Sequence, residues 1–263
     1  MLGALIGDIA GSRIEWDNQK TKDFTLLTHT GGCRPTDDSV MTLAVARAIL
    51  DCGGDYESLS AAAVRRMQEL GLRYPRAGYG GRFYRWIRSR NPKPYNSFGN
   101  GAAMRVSPCG WAAASREEAR ALARAVTAVT HDHPEGMKAA QAVAETIFMA
   151  RHGAGLPELR EHVTRTYYAI DFTLDEIRPG YTFDVTCQGS VPQAFEALFE
   201  STGFEDAVRC AISIGGDSDT IGAITGSMAE AVYGIPEELR REATGFLDSF
   251  QREILEAFEA HFG

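Results

Sequence analysis

Apolar side chains recur every three or four residues along most of the chain, and this spacing constrains the fold more than any other feature of the sequence. Alternation of apolar and polar residues, the pattern of a half-buried strand, is arguable only at 24–29 and 181–186. Alanine and glycine together make up about a quarter of the 263 residues, which favours closely packed helices. The sequence therefore predicts an all-α fold.

Nine segments carry the helical spacing most clearly, and residue types typical of helix ends flank several of them. The predicted helices are 37–50, 56–70, 117–130, 135–151, 157–168, 191–200, 205–214, 219–232 and 236–262. Ser115 and Glu118 have the spacing of a capping box, and Pro157 and Pro236 occupy first-turn positions. Four glycines follow predicted C-termini, namely Gly53, Gly71, Gly153 and Gly234.

No linker, low-complexity tract or internal repeat interrupts the chain. Residues 1–263 are therefore predicted to form a single compact multi-helix domain. The stretches 20–35, 74–81, 89–100 and 177–188 are the least helical, and we predict that they are loops, where binding groups often lie.

Charge and cysteine usage restrict the class of protein. The net charge of −8 argues against a basic surface that binds nucleic acid. No apolar run reaches the roughly 18 residues of a membrane helix, and the first residues lack a basic targeting segment. The five cysteines form no CxxC pair, which favours free thiols in a reducing cytoplasm, with Cys210 buried as a small apolar side chain.

Two acidic motifs each precede an apolar helix: Thr36-Asp37-Asp38-Ser39 and the segment 215–220, GGDSDT. Either motif alone is most simply interpreted as a helix N-cap, because Thr, Asp and Ser are preferred caps and acidic residues complement the helix dipole. Each motif, however, supplies two carboxylates and additional hydroxyls, which is more than a cap requires.

The four aspartates of these motifs would repel one another if the motifs met in space, unless cations lay among them. Hard divalent cations take all-oxygen ligand sets, and two such ions would balance Asp37, Asp38, Asp217 and Asp219. The hypothesis is therefore a dinuclear Mg or Mn site of the hydrolytic kind. Whether the two motifs meet depends on the fold.

Three further segments are candidates for function. Glycines at four-residue spacing from Gly3 to Gly11 predict a helix face that another backbone can approach closely. Glu15 follows this helix and is either a site residue or an ordinary exposed glutamate. The small residues of 100–105, NGAAMR, favour a ligand loop or a simple turn. The residues 131–133, HDH, are either a helix C-cap or a binding group.

In their order and separations, these motifs resemble the ADP-ribosylglycohydrolase family, which includes the bacterial dinitrogen-reductase-activating glycohydrolase and the vertebrate ADP-ribosylhydrolases. The resemblance covers residues 1 to about 235 and is most specific in the last motif. The matching pieces are GDIAGSRIE near the N-terminus, TDDS, NGAAMR, THDH and GGDSDTIGAITGSMAEAVYG.

The resemblance implies a dinuclear Mg or Mn enzyme that cleaves the glycosidic bond between ADP-ribose and an attached group, and so reverses protein mono-ADP-ribosylation. Glu15 matches the catalytic glutamate of the family, and Asp38 is predicted to be both catalytic and a ligand. The implied metal ligands are Thr36, Asp37, Asp38, Asp217, Asp219 and Thr220. The implied ADP-ribose contacts are Asn100, Gly101, Ala102, Ala103, Met104 and Arg105, together with His131.

In this interpretation Glu15 acts as the general base for a water molecule, or positions that water, because the aspartates are committed to metal. Arg105 either contacts the diphosphate or ribose, or forms a structural salt bridge. Two other functions stay open: a dinuclear phosphohydrolase acting on a nucleotide, and a non-catalytic ADP-ribose-binding protein. The presence of every implied residue favours the hydrolase over the binding protein. The acceptor linkage and the oligomeric state are not predicted.

Overall fold

Helices make up almost all of the regular structure of the protein. The computed structural model describes residues 1–263 and contains fourteen α-helices, two short 3-10 turns and no strand. The α-helices are α1 (Leu2–Gly11), α2 (Asp37–Cys52), α3 (Leu59–Arg73), α4 (Gly81–Ile87), α5 (Ser107–Ala112), α6 (Arg116–Thr127), α7 (Pro134–Arg151), α8 (Leu156–Thr166), α9 (Leu174–Ile177), α10 (Cys187–Phe199), α11 (Phe204–Ile212), α12 (Ser218–Tyr233), α13 (Glu237–Thr244) and α14 (Ser249–Phe262). A lone β-bridge joins Gly99 to Thr186. The predicted all-α fold is confirmed.

Eight of the nine predicted helices begin and end within about four residues of observed ones, and the exception is the predicted helix 236–262. Two helices, α13 and α14, occupy that stretch because Asp248 starts a new helix. Its side chain accepts a hydrogen bond from the Gln251 N–H at 2.9 Å, and the Gln251 side chain accepts one from the Asp248 N–H at 3.1 Å. This capping box satisfies the N–H groups of Asp248 and Gln251 and separates α14 from α13.

Short helices and some helix ends are also predicted wrongly. The helices α4, α5 and α9 have only seven, six and four residues, too few to show a helical spacing. Gly71 lies buried inside α3, where a Cβ would come 2.7 Å from Ile87 Cδ1. The Ser115 hydroxyl accepts from the Glu118 N–H, but the Glu118 carboxylate accepts from Ala114 N–H at 2.6 Å, so that capping box is half formed.

The helix α12 lies at the centre of the fold. It packs against α1, α7, α10 and α11, and every residue from Ser218 to Glu230 is buried. One cluster of 73 buried apolar residues extends from Met1 to Phe258, and all the helices around α12 contribute residues to it. Because α12 begins at the second acidic motif, its burial places that motif on a rigid element.

Glycines let α1 approach α12 more closely than any side chain would allow. A Cβ at Gly3 would lie 2.2 Å from the Gly226 carbonyl oxygen, and one at Gly7 would lie 1.9 Å from that of Gly222. A Cβ at Gly11 would lie 2.5 Å from the Asp219 backbone. The predicted glycine face therefore brings the end of α1 directly against the start of α12.

Replacing Gly7 by alanine is expected to destabilise the protein by about 3 kcal/mol, because the new methyl group overlaps the Gly222 backbone and forces the helices apart. The melting temperature should fall by roughly 6–12 °C. A Gly180→Ala variant is the matched control, since nothing lies within 4 Å of a Cβ there. Equal melting temperatures of the two variants would contradict the close helix contact.

The structure also bears on the cysteines and on the prediction that no helix spans a membrane. All five thiols are free, and Cys210 is buried among apolar side chains as predicted. No helix has both the length and the apolar character needed to cross a bilayer.

Candidate active site

A cleft of about 590 Å³ lies where the N-termini of α2 and α12 meet, and it collects most of the residues predicted from the sequence. Ala102 and Ala103 are the exceptions, because they point into the apolar core. The predicted residues that line the cleft are Glu15, Thr36, Asp37, Asp38, Asn100, Gly101, Met104, Arg105, His131, Asp217, Asp219 and Thr220.

Asp8, in the middle of α1, accepts hydrogen bonds from the free backbone N–H groups at the start of α2. Its carboxylate accepts hydrogen bonds from the backbone N–H groups of Thr36 at 2.8 Å and Ser39 at 3.0 Å, and from both hydroxyls. The Thr36 side chain makes no cap to its own helix. The cap is therefore supplied by another helix, which leaves the Asp37 and Asp38 carboxylates free for other ligands.

The start of α12 is arranged in a similar way. Asp217 occupies the N-cap position, but its side chain caps no N–H group of the helix. Instead its Oδ2 accepts a hydrogen bond of 2.7 Å from Asn100 Nδ2. Gly215 and Gly216 have φ values of +70° and +72°, and at Gly216 a Cβ would lie 2.5 Å from the Tyr181 ring. Glycine is needed here to turn the chain into the cleft.

Carboxylates from three separate parts of the chain converge beneath the cleft. Oxygen atoms of Asp8, Asp38 and Asp219 lie within 4.8 Å of one another, as do oxygen atoms of Glu15, Asp217 and Asp219. Asp219 belongs to both groups and joins them into one cluster. The two acidic motifs therefore meet in space, which the sequence left open.

Two hydroxyls and one further carboxylate adjoin this cluster. The Oγ1 atoms of Thr36 and Thr220 each lie 3.3 Å from Asp38 Oδ2. Asp37 lines the cleft beside them but belongs to neither of the two close groups.

The donor set fits hard divalent cations. Asp38 Oδ1 is buried and has no hydrogen-bond partner, so it is an available ligand atom. No Lys, Arg or His nitrogen lies within 4.0 Å of any carboxylate oxygen in the cluster. All the candidate donors are oxygen atoms, without the Cys or His that zinc usually takes.

Burial perturbs the acidity of these carboxylates strongly when no cation is bound. Burial raises the pKa of Asp37 to about 7, and it raises the pKa of Asp38 and of Asp219 well above the ordinary value. The neighbouring aspartates raise all three further, because like charges disfavour ionisation. Cations at this place would compete with protons for the same oxygen atoms.

In the presence of EDTA, we expect the melting temperature to rise by several degrees when the pH is lowered from about 8 to about 6. The folded chain holds the pKa of Asp37 at about 7 instead of 3.8, so it binds more protons than the unfolded chain between these values. Stability is therefore lost as the pH rises through the folded-state pKa. Differential scanning fluorimetry measures the change. A melting temperature that stays flat, or rises from pH 6 to 8, would contradict the assignment.

Glu15 lies in a series of turns after α1, at the mouth of the cleft. Asn18 holds this segment against the second acidic motif, because its Oδ1 accepts a hydrogen bond of 3.1 Å from the Gly216 N–H. Partial burial raises the pKa of Glu15 to about 7, and the Asp217 charge adds to the effect, while Arg34 opposes it. A carboxylate with such a pKa is suited to accept a proton near neutral pH.

Arg105 is a buried cation behind the cleft, with only 2% of its surface exposed. It makes no salt bridge, so the structural salt bridge considered from the sequence is absent. Its Nε donates to the Gly101 carbonyl oxygen, and its guanidinium lies 4.8 Å from the centre of the Phe83 ring. Arg105 therefore presents a fixed positive charge to the cleft without an anionic partner.

His131 faces the cleft as a neutral ring. Burial, together with the charges of Arg105 and Arg82, lowers the pKa of His131 well below its ordinary value. Its Nδ1 lies 2.7 Å from the Thr130 hydroxyl. Within 131–133, the His131 N–H donates to the carbonyl oxygen of Thr127, the last residue of α6, at 2.8 Å, which agrees with a helix C-cap. His133 instead caps the start of α7, because its Nδ1 accepts a hydrogen bond from the Glu135 N–H.

Two kinds of site residue were not predicted from the sequence. Asp8 is one, although a lone carboxylate inside an apolar helix was a signal that it has buried donors to satisfy. The others are aromatic: the rings of Trp16 and Phe183 stack with 5.1 Å between centroids at the cleft mouth. Trp16 directly follows Glu15, and Phe183 lies in a predicted loop, but stacking across the cleft needs the folded chain.

Comparison with known proteins supports the family that the sequence motifs resemble. The family described as ADP-ribosylglycohydrolase matches residues 1–261. The chain is 27% identical over 260 residues to the ADP-ribosyl-(dinitrogen reductase) glycohydrolase of Rhodospirillum rubrum, covering 90% of this chain and 85% of that protein. It is 26% identical over 272 residues to the ADP-ribosylarginine hydrolase Tri1 of Pseudomonas putida, covering 89% and 70%, respectively. It is 26% identical over 325 residues to the human ADP-ribosylhydrolase ARH3, covering 94% and 88%.

A solved structure described as an ADP-ribosylglycohydrolase-related protein complex has a TM-score of 0.67 to this chain at 24% identity. The superposition covers 98% of this chain and 94% of the other, and it shows a shared fold. Fold and matches together define the class of protein, an all-α enzyme that hydrolyses glycosidic bonds. The chain belongs to the ADP-ribosylglycohydrolase family.

Proposed function

We propose that this protein is a dinuclear-metal-dependent hydrolase, using Mg or Mn, that releases ADP-ribose from mono-ADP-ribosylated protein. The observation that carries the proposal is the convergence of Asp8, Glu15, Asp38, Asp217 and Asp219 beneath one cleft, without a cationic side chain among them. The names of the relatives, which include a glycohydrolase and an arginine-linked ADP-ribose hydrolase, support the substrate class.

Asp38, Asp217 and Asp219 are the proposed carboxylate ligands of the cations, with the Thr36 and Thr220 hydroxyls as further oxygen donors. Asp37 completes the proposed ligand set from the cleft wall. When bound, divalent cations would orient the ribose oxygens and acidify a water molecule. Asp8, which already accepts four hydrogen bonds, holds the start of α2 in position beneath them.

Glu15 is the proposed general base. Its carboxylate lies at the cleft mouth and has the partial burial that raises its pKa, so it can accept the proton of the attacking water. Cleavage at the anomeric carbon develops positive charge on the sugar ring, which the surrounding carboxylates stabilise. Asp38, with its unpartnered Oδ1, shares this electrostatic role.

The other wall of the cleft supplies the groups for the rest of ADP-ribose. Asn100 is bound to Asp217, so in this proposal it fixes that ligand and offers only its remaining polar atoms to substrate. Gly101 and Met104 supply surface, whereas the neutral His131 and the unpaired Arg105 supply a polar ring and a positive charge for the diphosphate. The free thiols support a reducing, cytoplasmic setting.

The test is to incubate the protein with mono-ADP-ribosylated protein, with free ADP-ribose and with nucleotides, first in EDTA and then in Mg²⁺ or Mn²⁺. We expect release of intact ADP-ribose from the modified protein only when metal is present, because the inferred ligands are all carboxylates and hydroxyls. Chromatography of the products measures it. Release of AMP or phosphate would identify a phosphohydrolase instead, and binding without any product would identify a binding protein.

A further inference from the structure

The positive charges of the chain are distributed very unevenly. Between Glu69 and Glu117 the sequence has nine arginines and lysines and no acidic residue, whereas all 35 acidic residues lie outside this stretch. The net charge of −8, from which we predicted that no basic surface binds nucleic acid, is therefore an average that hides a strongly basic region.

Five of these cations lie on α4 and the segment that follows it. All five are exposed, and none lies within 4.0 Å of a carboxylate. We call this group the basic surface, and its members are Arg82, Arg85, Arg88, Arg90 and Lys93.

The basic surface continues directly into the active-site cleft. Arg82 and Tyr95 line both the cleft and an adjoining depression of about 350 Å³. Arg85 and Lys93 line the same depression, and no acidic side chain contributes to it. A molecule attached to ADP-ribose in the cleft can therefore reach the basic surface.

These charges have no anionic partner within the fold, although Arg82 donates to the Tyr95 carbonyl oxygen at 3.0 Å and Arg88 to that of Tyr84 at 3.4 Å. Arg82 and Arg85 in α4 and Arg88 at its C-cap follow one another at three-residue spacing, where like charges repel and destabilise a helix. Elsewhere in the protein, eleven arginines and lysines form ion pairs within 4.0 Å. An unpaired basic surface beside an active site is typical of binding an external anion.

We propose that the basic surface binds an acidic segment of the ADP-ribosylated protein, so that the enzyme prefers modified residues with acidic neighbours. The proposal rests on the proposed function and names the surroundings of its substrate. A seven-residue helix such as α4 is only about 10 Å long, which suits a few acidic residues. The acidic remainder of the protein would repel a long phosphate chain. Tyr84, the exposed aromatic ring of α4, is covered by Arg88 at 3.5 Å and offers no row of rings for stacked bases.

The experiment uses two peptides that carry one ADP-ribose on the same residue, in whichever linkage the enzyme hydrolyses fastest. One peptide has three glutamates on each side of that residue, and the other has glutamines. We expect the metal-loaded enzyme to hydrolyse the glutamate peptide with a kcat/KM about five- to thirtyfold higher at low salt, through a lower KM. The preference should shrink to about twofold or less at high salt, because the charges are exposed.

A triple variant, Arg85→Gln with Arg90→Gln and Lys93→Gln, should lose the preference and hydrolyse both peptides at the rate of the glutamine peptide. A second triple variant removes the same charge elsewhere and should keep the preference. Its residues are exposed, unpaired and away from the cleft: Arg65, Arg241 and Arg252, each changed to glutamine.

Equal hydrolysis of the two peptides by the wild type, or an unchanged preference in the first triple variant, would overturn the proposal. An equal loss of hydrolysis of both peptides in the first triple variant would also overturn the proposal, because it would place these residues in the ADP-ribose pocket. If a labelled oligonucleotide binds more tightly than the glutamate peptide, the ligand of the basic surface is a nucleic acid and not an acidic protein segment. Peptide binding is measured in parallel by fluorescence anisotropy, so failure of the proposed hydrolysis is seen separately.

Discussion

Asp219→Asn is expected to lower metal-dependent kcat/KM by about 10²–10⁴-fold, because metal stabilisation of the transition state contributes several kcal/mol. Asparagine keeps the volume of the side chain but removes the negative charge and one ligand oxygen. Asp219 is the residue to change because it belongs to both close carboxylate groups. Asp217→Ala and Asp37→Ala should act in the same direction.

The melting temperature of the Asp219→Asn variant distinguishes a loss of activity at the site from misfolding of the protein. In the folded, metal-free protein, burial and the Asp38 and Asp217 charges raise the pKa of Asp219, so the charged form is unfavourable there. The Asp219→Asn protein should therefore melt at the same temperature as the wild type in EDTA, or higher. Its bound metal, measured by calorimetry, should fall. The exposed Asp171→Asn is the matched control for both measurements. Full activity of Asp219→Asn at low metal would remove this residue from the site.

Glu15→Gln is expected to reduce kcat by roughly 10²–10⁴-fold with little loss of ADP-ribose affinity. Glutamine has nearly the same volume and still forms hydrogen bonds, but it cannot accept the proton of a water molecule at neutral pH. The aspartates of the cluster and the cleft wall are unchanged in this variant. The affinity for ADP-ribose, measured by calorimetry, should therefore stay within about tenfold, or about 1.4 kcal/mol, of the wild type.

The exposed Glu158→Gln in α8 is the matched control for this variant and should keep normal turnover. A Glu15→Gln protein with near-normal turnover would show that Glu15 is not the base. A joint loss of turnover, metal and ADP-ribose affinity would make Glu15 a metal ligand, which its place beside Asp217 and Asp219 also permits.

Much of the fold could be predicted because helical spacing is a local property. The helix α2 starts at the predicted residue, and α7 ends at the predicted residue. The split between α13 and α14 was missed, because both halves are apolar at helical spacing and only the Asp248 capping box separates them. Local signals also misplaced Gly71, whose packing against Ile87 depends on another helix.

For the candidate site, the two acidic motifs could be predicted as oxygen-rich, and the glycine face of α1 as a place of close backbone contact. Capping was the competing interpretation of TDDS, and the structure removes it because Asp8 satisfies the Thr36 and Ser39 N–H groups. No pattern along the chain could show this, since Asp8 is 28 residues away from Thr36.

By itself, the sequence determined the helical class, the family resemblance and the residue types of the site, because these depend on spacing along the chain. Only the tertiary structure decided that Asp38 lies beside Asp219, that Asn100 holds Asp217, and that the cations of α4 border the cleft. The physical reason is that these contacts join segments more than 100 residues apart in the first two cases. They form only when the helices pack around the shared core.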